Sequence, residues 1–317
     1  MPDKCRFLIP EQIDTPGPES IRDIVESTTE YRTTEDVRER IGEFDAIILR
    51  GIQLDADLIE AADNLKLISK HGVGLDSVDI DGASERGIVV CNTPQANSRT
   101  VAEATIMLLL ATRRNVVQAD QAVRAGDWNA RADWDRFRRH TIEDDTLGLY
   151  GFGNIAREVA KMAVGMGMRC VTYDPYIRDE DLLKGVSGKT DKQSLFEAAD
   201  VVSVHAPLTN ETHRAVGIEE LREIDYLINT ARGEIVDEEG LRQALNEDLV
   251  AAGLDVLNEE PPSADNPLLK RDDVVLTPHF GTLSVAALQL MSEGAAKNVR
   301  AVYEGEIPNS AVNSEKI

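Results

Sequence analysis

Residues 146–162, which read TLGLYGFGNIAREVAKM, decide the fold of this chain because they join a strand pattern, a glycine turn and a helix pattern. A short apolar run precedes the glycines, and residues 151–156 match the pattern G-x-G-x-x-G/A. The first glycine of this pattern permits a tight turn, and the second lets the backbone approach a pyrophosphate. Free N–H groups at the start of the helix attract phosphate. The stretch therefore predicts a dinucleotide site around Gly151 and Gly153.

A second strand pattern, residues 169–174, follows the predicted helix and ends in Asp174. An acidic residue roughly 20 positions after the first glycine binds the ribose hydroxyls of the adenosine, and its charge repels a 2′-phosphate. This spacing favours NAD over NADP. The alternative interpretation is an ordinary strand, turn and helix of an α/β protein that binds no dinucleotide.

Length and composition narrow the class of protein. The chain has 317 residues, 42% of them hydrophobic, which is enough for two ordinary domains with buried cores. No apolar run is long enough to span a membrane, and the first ten residues lack the apolar region of a signal peptide, so we expect a cytoplasmic protein. Cys5, Cys91 and Cys170 lie in strand-like runs without C-x-x-C spacing, so we expect buried thiols with no disulfide and no metal site.

The formal net charge of −23 excludes unassisted binding to nucleic acid, which requires a basic surface. We therefore expect small molecules, or a second copy of the chain, as partners. Of the 34 basic residues, ten are lysine and 24 are arginine. An acidic surface with few lysines suits a salt-rich cytoplasm, where ions screen the repulsion between like charges. An ordinary acidic protein of a low-salt cell is the alternative.

Strand and helix patterns alternate in both halves of the chain, which predicts parallel sheets covered by helices on both faces. The first half has strand patterns at residues 5–9, 45–50, 65–69 and 87–91, and helix patterns near 18–26 and 55–62. The second half has strand patterns at residues 146–150, 169–174, 200–204, 225–229, 251–254 and 274–276. We expect an α/β fold of two doubly wound domains, a flavodoxin-like substrate domain and a Rossmann NAD domain, with a cleft between them.

The domain boundaries follow from two long helix patterns. Residues 100–113 form an amphipathic run where a connector between domains is expected. The last helix pattern, about 283–303, is long enough to return to the first domain. The substrate domain is therefore predicted to comprise residues 1–98 and 287–317, and the NAD domain residues 99–286.

Residues 127–145 contain both tryptophans, Trp128 and Trp134, and a basic patch at Arg136, Arg138 and Arg139. One interpretation is a loop that packs on a neighbouring subunit. The interpretation we favour is a surface loop of the same chain that its aromatic side chains hold down.

Three polar clusters follow strand patterns of the second domain, at residues 229–234, 255–262 and 277–282. Because the carboxyl ends of parallel strands share one edge of a sheet, we expect these clusters to converge near the glycine turn. An arginine binds a carboxylate through a planar fork, and a histidine beside a carboxylate transfers protons near neutral pH. Next to a nicotinamide, these groups predict hydride transfer at a carbon that bears a hydroxyl or carbonyl.

Taken together, the motifs resemble those of the NAD-dependent D-2-hydroxyacid dehydrogenase family over nearly the whole chain. The segments that carry the resemblance are residues 71–76 (HGVGLD), 92–94 (NTP), 151–155 (GFGNI), 204–209 (VHAPLT), 229–237, 255–261 and 277–281.

The resemblance implies roles for individual residues. Arg232 would bind the substrate carboxylate and carbonyl, His279 would be the general acid and base, and Glu260 would be the partner of His279. The family places this carboxylate directly before a proline, which selects Glu260 over the adjacent Glu259. Asp255 would hold the nicotinamide carboxamide, and the remaining cofactor contacts would come from Val73, Gly151, Gly153, Asn154, Ile155, Asp174, Ala206, Pro207, Thr230, Ala231 and Gly281. The substrate would also contact Val73, Gly74, Arg50 and Lys70.

Within the family, the chain is most similar to D-3-phosphoglycerate dehydrogenases that lack a regulatory domain. This implies oxidation of D-3-phosphoglycerate to 3-phosphohydroxypyruvate, a step of serine biosynthesis, by a homodimer joined through its NAD domains. Arg50 and Lys70 match the phosphate-side positions, where each is either a phosphate ligand or an ordinary surface charge. Reduction of glyoxylate or hydroxypyruvate would use the same catalytic residues with a smaller pocket. An alternative of another class is an NAD-sensing binding protein similar to a corepressor.

Overall fold

A computed structural model describes residues 4–29 and 33–317, and the chain divides into two compact units. Unit 1 comprises Met1–Asn97 and Leu283–Ile317, and unit 2 comprises Ser98–Thr282. Each unit contains a parallel sheet and helices, so the expected α/β class is confirmed. The assignment of substrate and cofactor roles to the two units stays a prediction.

Unit 1 has a five-stranded sheet of order β2-β1-β3-β4-β5, which is the flavodoxin-like order. Its strands are β1 (Cys5–Ile9), β2 (Val25–Thr29), β3 (Ala46–Leu49), β4 (Leu67–Lys70) and β5 (Val89–Cys91). Its helices are α1 (Pro16–Ser20), α2 (Thr34–Arg40), α3 (Ala56–Glu60), α4 (Ile80–Glu85) and, from the end of the chain, α12 (Val285–Tyr303). Ala295, Ala296 and Val299 of α12 pack in one apolar cluster with Phe7 and Ile48 of the sheet.

The helix predicted near residues 18–26 is wrong after Ser20. Helix α1 ends at Ser20, and Val25 already belongs to β2, which pairs in parallel with β1. The run from Val25 to Thr29 reads VESTT, in which three of five residues are β-branched and therefore suit a strand. The periodicity of a short apolar pattern did not reveal this change of structure.

Unit 2 has a seven-stranded sheet of order β12-β11-β10-β9-β6-β7-β8, in which the first six strands of the unit along the chain have the Rossmann order. The strands are β6 (Thr146–Tyr150), β7 (Arg169–Tyr173), β8 (Val186–Gly188), β9 (Val201–Val204), β10 (Tyr226–Asn229), β11 (Ala251–Leu254) and β12 (Val274–Leu276). The helices are α5 (Ser98–Arg113), α6 (Val116–Arg124), α7 (Trp134–Phe137), α8 (Asn154–Gly165), α9 (Lys192–Glu197), α10 (Ile218–Leu221) and α11 (Glu238–Ala244).

Apolar clusters cover both faces of the sheet of unit 2. One cluster joins Leu147 and Leu149 of β6 to Leu108 of α5 and Val159 of α8. The other includes residues of β9, β10 and β11 together with α9 and α11. Strands β6, β9, β10 and β11 are buried along their full lengths, as expected for parallel strands between two layers of helices.

The favoured interpretation of the tryptophan segment is wrong. Trp128 and Trp134 are 66% and 67% exposed, so they do not hold the segment down on their own chain. Trp128 begins a 3₁₀ helix, Trp128–Ala132, and Trp134 begins α7.

In the described ranges, no helix is both long enough and apolar enough to cross a lipid bilayer. The three thiols are free, and burial raises the pKa of each to about 11. Cys91 and Cys170 are buried as expected, whereas Cys5 is half-buried.

Candidate active site

Glycine occupies two positions of the turn after β6, Gly151 and Gly153, for different structural reasons. Gly151 has φ +91°, and a Cβ atom there would lie 2.7 Å from the backbone nitrogen of Ala206. A side chain is therefore excluded by both conformation and space. At Gly153 a Cβ atom would meet no atom within 4 Å. The absence of a side chain there leaves an open approach to the backbone, which suits a pyrophosphate.

The start of α8 can accept an anion. Gly153 is its N-cap, and among the described residues no side chain caps this helix and no acidic residue lies in its first turn. The first N–H groups of a helix lack intrahelical partners and carry a partial positive charge. Asn154 and Ile155, the first two residues of α8, are therefore suited to the phosphate contacts predicted for them.

Asp174 follows β7 and lies beside the glycine turn. Its Oδ2 accepts a hydrogen bond of 2.8 Å from the backbone N–H of Phe152, and its Oδ1 accepts one of 2.9 Å from the N–H of Tyr176. A carboxylate also has lone pairs for ribose hydroxyls. Gly151 and Gly153, the start of α8 and Asp174 thus fit NAD.

The three polar clusters come together at the carboxyl ends of β10, β11 and β12, which are adjacent in the sheet. The backbone N–H of Asp255 donates to the carbonyl of Asn229 at 2.9 Å. Gly233 lies so close to the backbone of Leu257 that a Cβ atom there would be 2.1 Å away. The expected convergence of these loops therefore follows from parallel pairing.

His279 and Glu260 form a hydrogen-bonded pair. The distance from His279 Nδ1 to Glu260 Oε2 is 2.6 Å, and Glu260 Oε1 accepts a hydrogen bond of 3.0 Å from the N–H of Leu257. An ionised Glu260 places the proton on Nδ1 and leaves Nε2 as the available ring nitrogen. Glu259 is exposed and makes no such contact. The geometry thus distinguishes between two adjacent carboxylates.

The loop that carries His279 is held by Asp255, which is 3% exposed. The Oδ1 atom of Asp255 accepts hydrogen bonds from Thr277 Oγ1 at 2.6 Å and from the N–H of Phe280 at 3.0 Å. Its Oδ2 accepts one from the N–H of Gly281 at 2.9 Å. His279 itself has φ +48°, a left-handed conformation that costs a non-glycine residue about 1–3 kcal/mol.

Arg232 lies three residues after the end of β10 and is partly buried, and its Nη1 donates to the carbonyl of Ala231 at 2.6 Å. Asn229, which the sequence placed in a polar cluster but to which it assigned no role of its own, fixes this turn. Its Nδ2 donates to the carbonyl of Arg232 at 2.9 Å, and its Oδ1 accepts from the N–H of Ala231 at 3.0 Å. Thr230 Oγ1 lies 2.9 Å from Thr105 Oγ1 of α5. The signal for Asn229 was its position as the last residue of a buried strand.

In unit 1, Arg50 and Lys70 follow β3 and end β4. Arg50 is exposed, but Lys70 is only 8% exposed. The Nζ of Lys70 donates to the carbonyl of Arg50 at 2.5 Å and to Ser77 Oγ at 3.0 Å. The alternative of an ordinary surface charge is therefore wrong for Lys70. Glu11 accepts hydrogen bonds from the N–H groups of Arg50 and Gly51, which fixes this loop.

The predicted substrate loop at Val73 and Gly74 is fixed by the segment after β5. Asn92 Nδ2 donates to the carbonyl of Val73 at 2.9 Å, and Thr93 Oγ1 accepts from the N–H of Gly72 at 3.1 Å. His71 is buried beside this loop. Burial, followed by the positive charge of Arg50, lowers the pKa of His71 below its usual value.

His205 follows β9, and its ring is packed and hydrogen-bonded. Its Nε2 lies 2.9 Å from Oγ of the buried Ser203. Burial lowers the pKa of His205 to about 3, so the ring is neutral near pH 7. His140 and His213 are exposed. Among the described residues, no group of three or more His, Cys, Asp or Glu could hold a metal ion.

We expect His205 to make the protein less stable in acid. Its native pKa of about 3 lies below the unfolded value of about 6.5, so the unfolded chain binds a proton first as the pH falls. Its contribution to stability is complete above pH 6.5 and is lost toward pH 3, by up to about 1.4 kcal/mol per pH unit. The variant His205→Gln should lose less stability between pH 6.5 and 4.5 in urea unfolding. In the control His213→Gln, which changes an exposed histidine, the free energy of unfolding should fall with decreasing pH as steeply as in the wild type. An equally steep fall in His205→Gln would contradict the prediction.

Known proteins are similar to this chain over most of its length. The model of the D-isomer specific 2-hydroxyacid dehydrogenase NAD binding domain matches residues 106–281, within unit 2. The glyoxylate reductase of Korarchaeum cryptofilum is 40% identical over 285 residues, which cover 88% of this chain and 86% of that protein. The D-3-phosphoglycerate dehydrogenase of Methanocaldococcus jannaschii is 38% identical over 291 residues. This match covers 90% of the chain but 55% of the relative, so the chain spans about half of its length.

The crystal structure of the TT0316 protein from Thermus thermophilus has a TM-score of 0.88 and 34% sequence identity. The match covers 97% of this chain and 99% of that one. On the strength of the matched NAD binding domain and these relatives, the chain belongs to the NAD-dependent D-isomer specific 2-hydroxyacid dehydrogenase family.

Proposed function

We propose that this dehydrogenase interconverts D-3-phosphoglycerate and 3-phosphohydroxypyruvate with NAD. The observation that carries the chemistry is the hydrogen bond of 2.6 Å between His279 Nδ1 and Glu260 Oε2. It leaves Nε2 to exchange a proton with the substrate hydroxyl. The finer choice of substrate is supported by the cations at the strand ends of unit 1.

Each catalytic role in this proposal follows from the chemistry of the side chain. Nε2 of His279 accepts the hydroxyl proton when the alcohol is oxidised and returns it when the keto acid is reduced. Glu260 fixes the tautomer of the ring and stabilises the imidazolium that forms. Arg232 remains charged at any physiological pH and binds the substrate carboxylate and carbonyl through its planar fork. NAD, when bound, supplies the hydride acceptor.

The cofactor contacts are also part of the proposal. The N–H groups of Asn154 and Ile155 would bind the pyrophosphate at the start of α8, and Asp174 would bind the adenosine ribose. Asp255 would accept from the nicotinamide carboxamide. The remaining contacts would come from Val73 and from a set of residues in unit 2: Gly151, Gly153, Ala206, Pro207, Thr230, Ala231 and Gly281.

Two cations of unit 1 support a substrate with a phosphate. Arg50 is exposed at the end of β3, and the buried Lys70 holds the carbonyl of Arg50 in place. A guanidinium can bind a phosphate through two parallel hydrogen bonds. We therefore propose that Arg50 binds the phosphate and that Lys70 adds a second positive charge behind Arg50. Val73 and Gly74 would present backbone N–H groups to the substrate carboxylate.

A second candidate is a reductase of glyoxylate or hydroxypyruvate. It is favoured by relatives: the glyoxylate reductase of Thermofilum pendens is 40% identical, and the match covers 85% of that protein. These substrates lack the phosphate, so their turnover would not depend on Arg50.

The catalytic assignment predicts a large loss of activity in His279→Ala. We expect NAD-dependent turnover of D-2-hydroxy acids to fall roughly 10²–10⁴-fold, because general acid–base catalysis supplies about this factor. The measurement is kcat from nicotinamide absorbance with a panel of D-2-hydroxy acids. Glu260→Gln should also be impaired, whereas the matched variant Glu259→Gln should retain wild-type turnover. Full activity in His279→Ala would refute the assigned role.

The substrate assignment predicts a selective defect in Arg50→Ala. We expect KM for D-3-phosphoglycerate to rise roughly 10–100-fold, since a hydrogen bond to a charged group contributes about 1.5–3 kcal/mol. The kcat/KM for glyoxylate should remain close to that of the wild type. Arg86→Ala, which removes another arginine of unit 1, is the control. Wild-type protein that reduces glyoxylate but does not oxidise D-3-phosphoglycerate would establish the second candidate instead.

We further propose a homodimer formed through residues 116–137 of unit 2. Val116 and Val123 of α6 are about half exposed, and both tryptophans are exposed beyond them. Exposed aromatic and apolar side chains next to arginines are typical of an interface core.

Light scattering should therefore give twice the mass of the chain for the wild type. The double variant Trp128→Ser/Trp134→Ser should dissociate toward the monomer, because aromatic anchors dominate interface energies. Tyr176→Ser removes an exposed aromatic side chain outside this segment and should remain dimeric. A monomeric wild type would rule the proposal out.

A further inference from the structure

The loop after β12 depends on one buried carboxylate. Three donors of residues 277–281 converge on Asp255, namely the hydroxyl of Thr277 and the N–H groups of Phe280 and Gly281. The N–H of His279, which lies between them, donates to the backbone carbonyl of Asp255 at 2.8 Å. Asp255 therefore binds the side chain of Thr277 before His279, and the backbone N–H groups of His279 and of the two residues after it.

An ionised carboxylate suits this position better than any neutral group. It accepts hydrogen bonds on both oxygens without having to donate, and its bonds to N–H groups are charge-assisted. The contact also requires a glycine at position 281, because a Cβ atom there would lie 2.8 Å from Asp255 Oδ2. An amide in place of the carboxylate would turn an NH₂ group toward one of these donors.

The strained conformation of His279 indicates what the carboxylate does. A histidine with φ +48° persists only when its surroundings enforce that conformation. In this conformation Nδ1 of His279 lies 2.6 Å from Oε2 of Glu260. Resting on the proposed function, we propose that Asp255 is a positioning residue. It holds the loop so that His279 pairs with Glu260 and presents Nε2 to the substrate.

This role differs from the carboxamide contact that the family resemblance assigns to Asp255. A carboxylate has about four lone-pair positions, and the loop uses three of them. One position is left for a cofactor amide, so the two roles are compatible. They can be separated through Thr277, which contacts Asp255 and has no predicted contact with the cofactor.

The first test uses the protein without substrate. In protein labelled with ¹⁵N-histidine, long-range ¹H–¹⁵N spectra report which ring nitrogen carries the proton, and His279→Gln identifies the signal among the five histidines. We expect wild-type His279 to be protonated on Nδ1. Thr277→Val and Asp255→Asn should shift it toward a mixture of tautomers. Thr277→Ser, which retains the hydroxyl, should restore the wild-type spectrum.

The second test separates turnover from cofactor binding. We expect Thr277→Val to lower kcat about tenfold and Asp255→Asn to lower it about 10²-fold, since small displacements of a catalytic group have effects of this size. The Kd of NADH, measured by fluorescence, should change less than twofold in Thr277→Val. Ser84→Ala, which removes a buried hydrogen-bonded hydroxyl from unit 1, should retain wild-type kcat.

The outcomes distinguish this inference from the proposed function. A wild-type tautomer and wild-type kcat in Thr277→Val would overturn the positioning role. So would a Thr277→Val defect confined to the Kd of NADH, because the loop would then serve the cofactor. If no D-2-hydroxy acid is turned over by the wild type, the proposed function fails. The tautomer measurement still decides whether Asp255 positions His279.

Discussion

The site depends on the register of parallel strands in unit 2. Tyr150 of β6 pairs with Val204 of β9, Val204 with Asn229 of β10, Asn229 with Leu254 of β11, and Leu254 with Leu276 of β12. These five strands, which are neighbours in the sheet, therefore end on one line across it. The residues that follow them form a row: Gly151, His205, Thr230, Asp255 and Thr277. Because parallel strands share a direction, five loops distant in sequence meet at a single edge.

Carboxylates at these edges hold loops in both units. Glu11 accepts from the N–H groups of Arg50 and Gly51, Asp174 from those of Phe152 and Tyr176, and Asp255 from those of Phe280 and Gly281. Backbone N–H groups in such loops lack strand partners, and an ionised acceptor satisfies them more strongly than a neutral one. Part of the acidic composition therefore has a structural use inside each unit, in addition to the charge it gives the surface.

Sequence patterns predicted most strands of both sheets, since short apolar runs between polar turns are typical of buried parallel strands. They failed for β2, whose residues are polar and β-branched, and for the three-residue strand β8. They also misjudged the tryptophans, because an aromatic side chain has the same local pattern whether its own chain or another surface covers it. Lys70 could not be assigned from sequence either. Its burial depends on Ser77 and on the carbonyl of Arg50, which belong to other loops.

By itself, the sequence determined the α/β class, the position of the glycine turn, and the set of polar residues that follow each strand, because these depend on local periodicity and on the conformational freedom of glycine. The family resemblance had already selected Glu260 over Glu259, but only the tertiary structure revealed the contact of 2.6 Å between Glu260 and His279. It also revealed that Asp255 holds the loop of His279 in a left-handed conformation. These contacts join loops of different strands, and their geometry is fixed by strand order and register, which no local pattern contains.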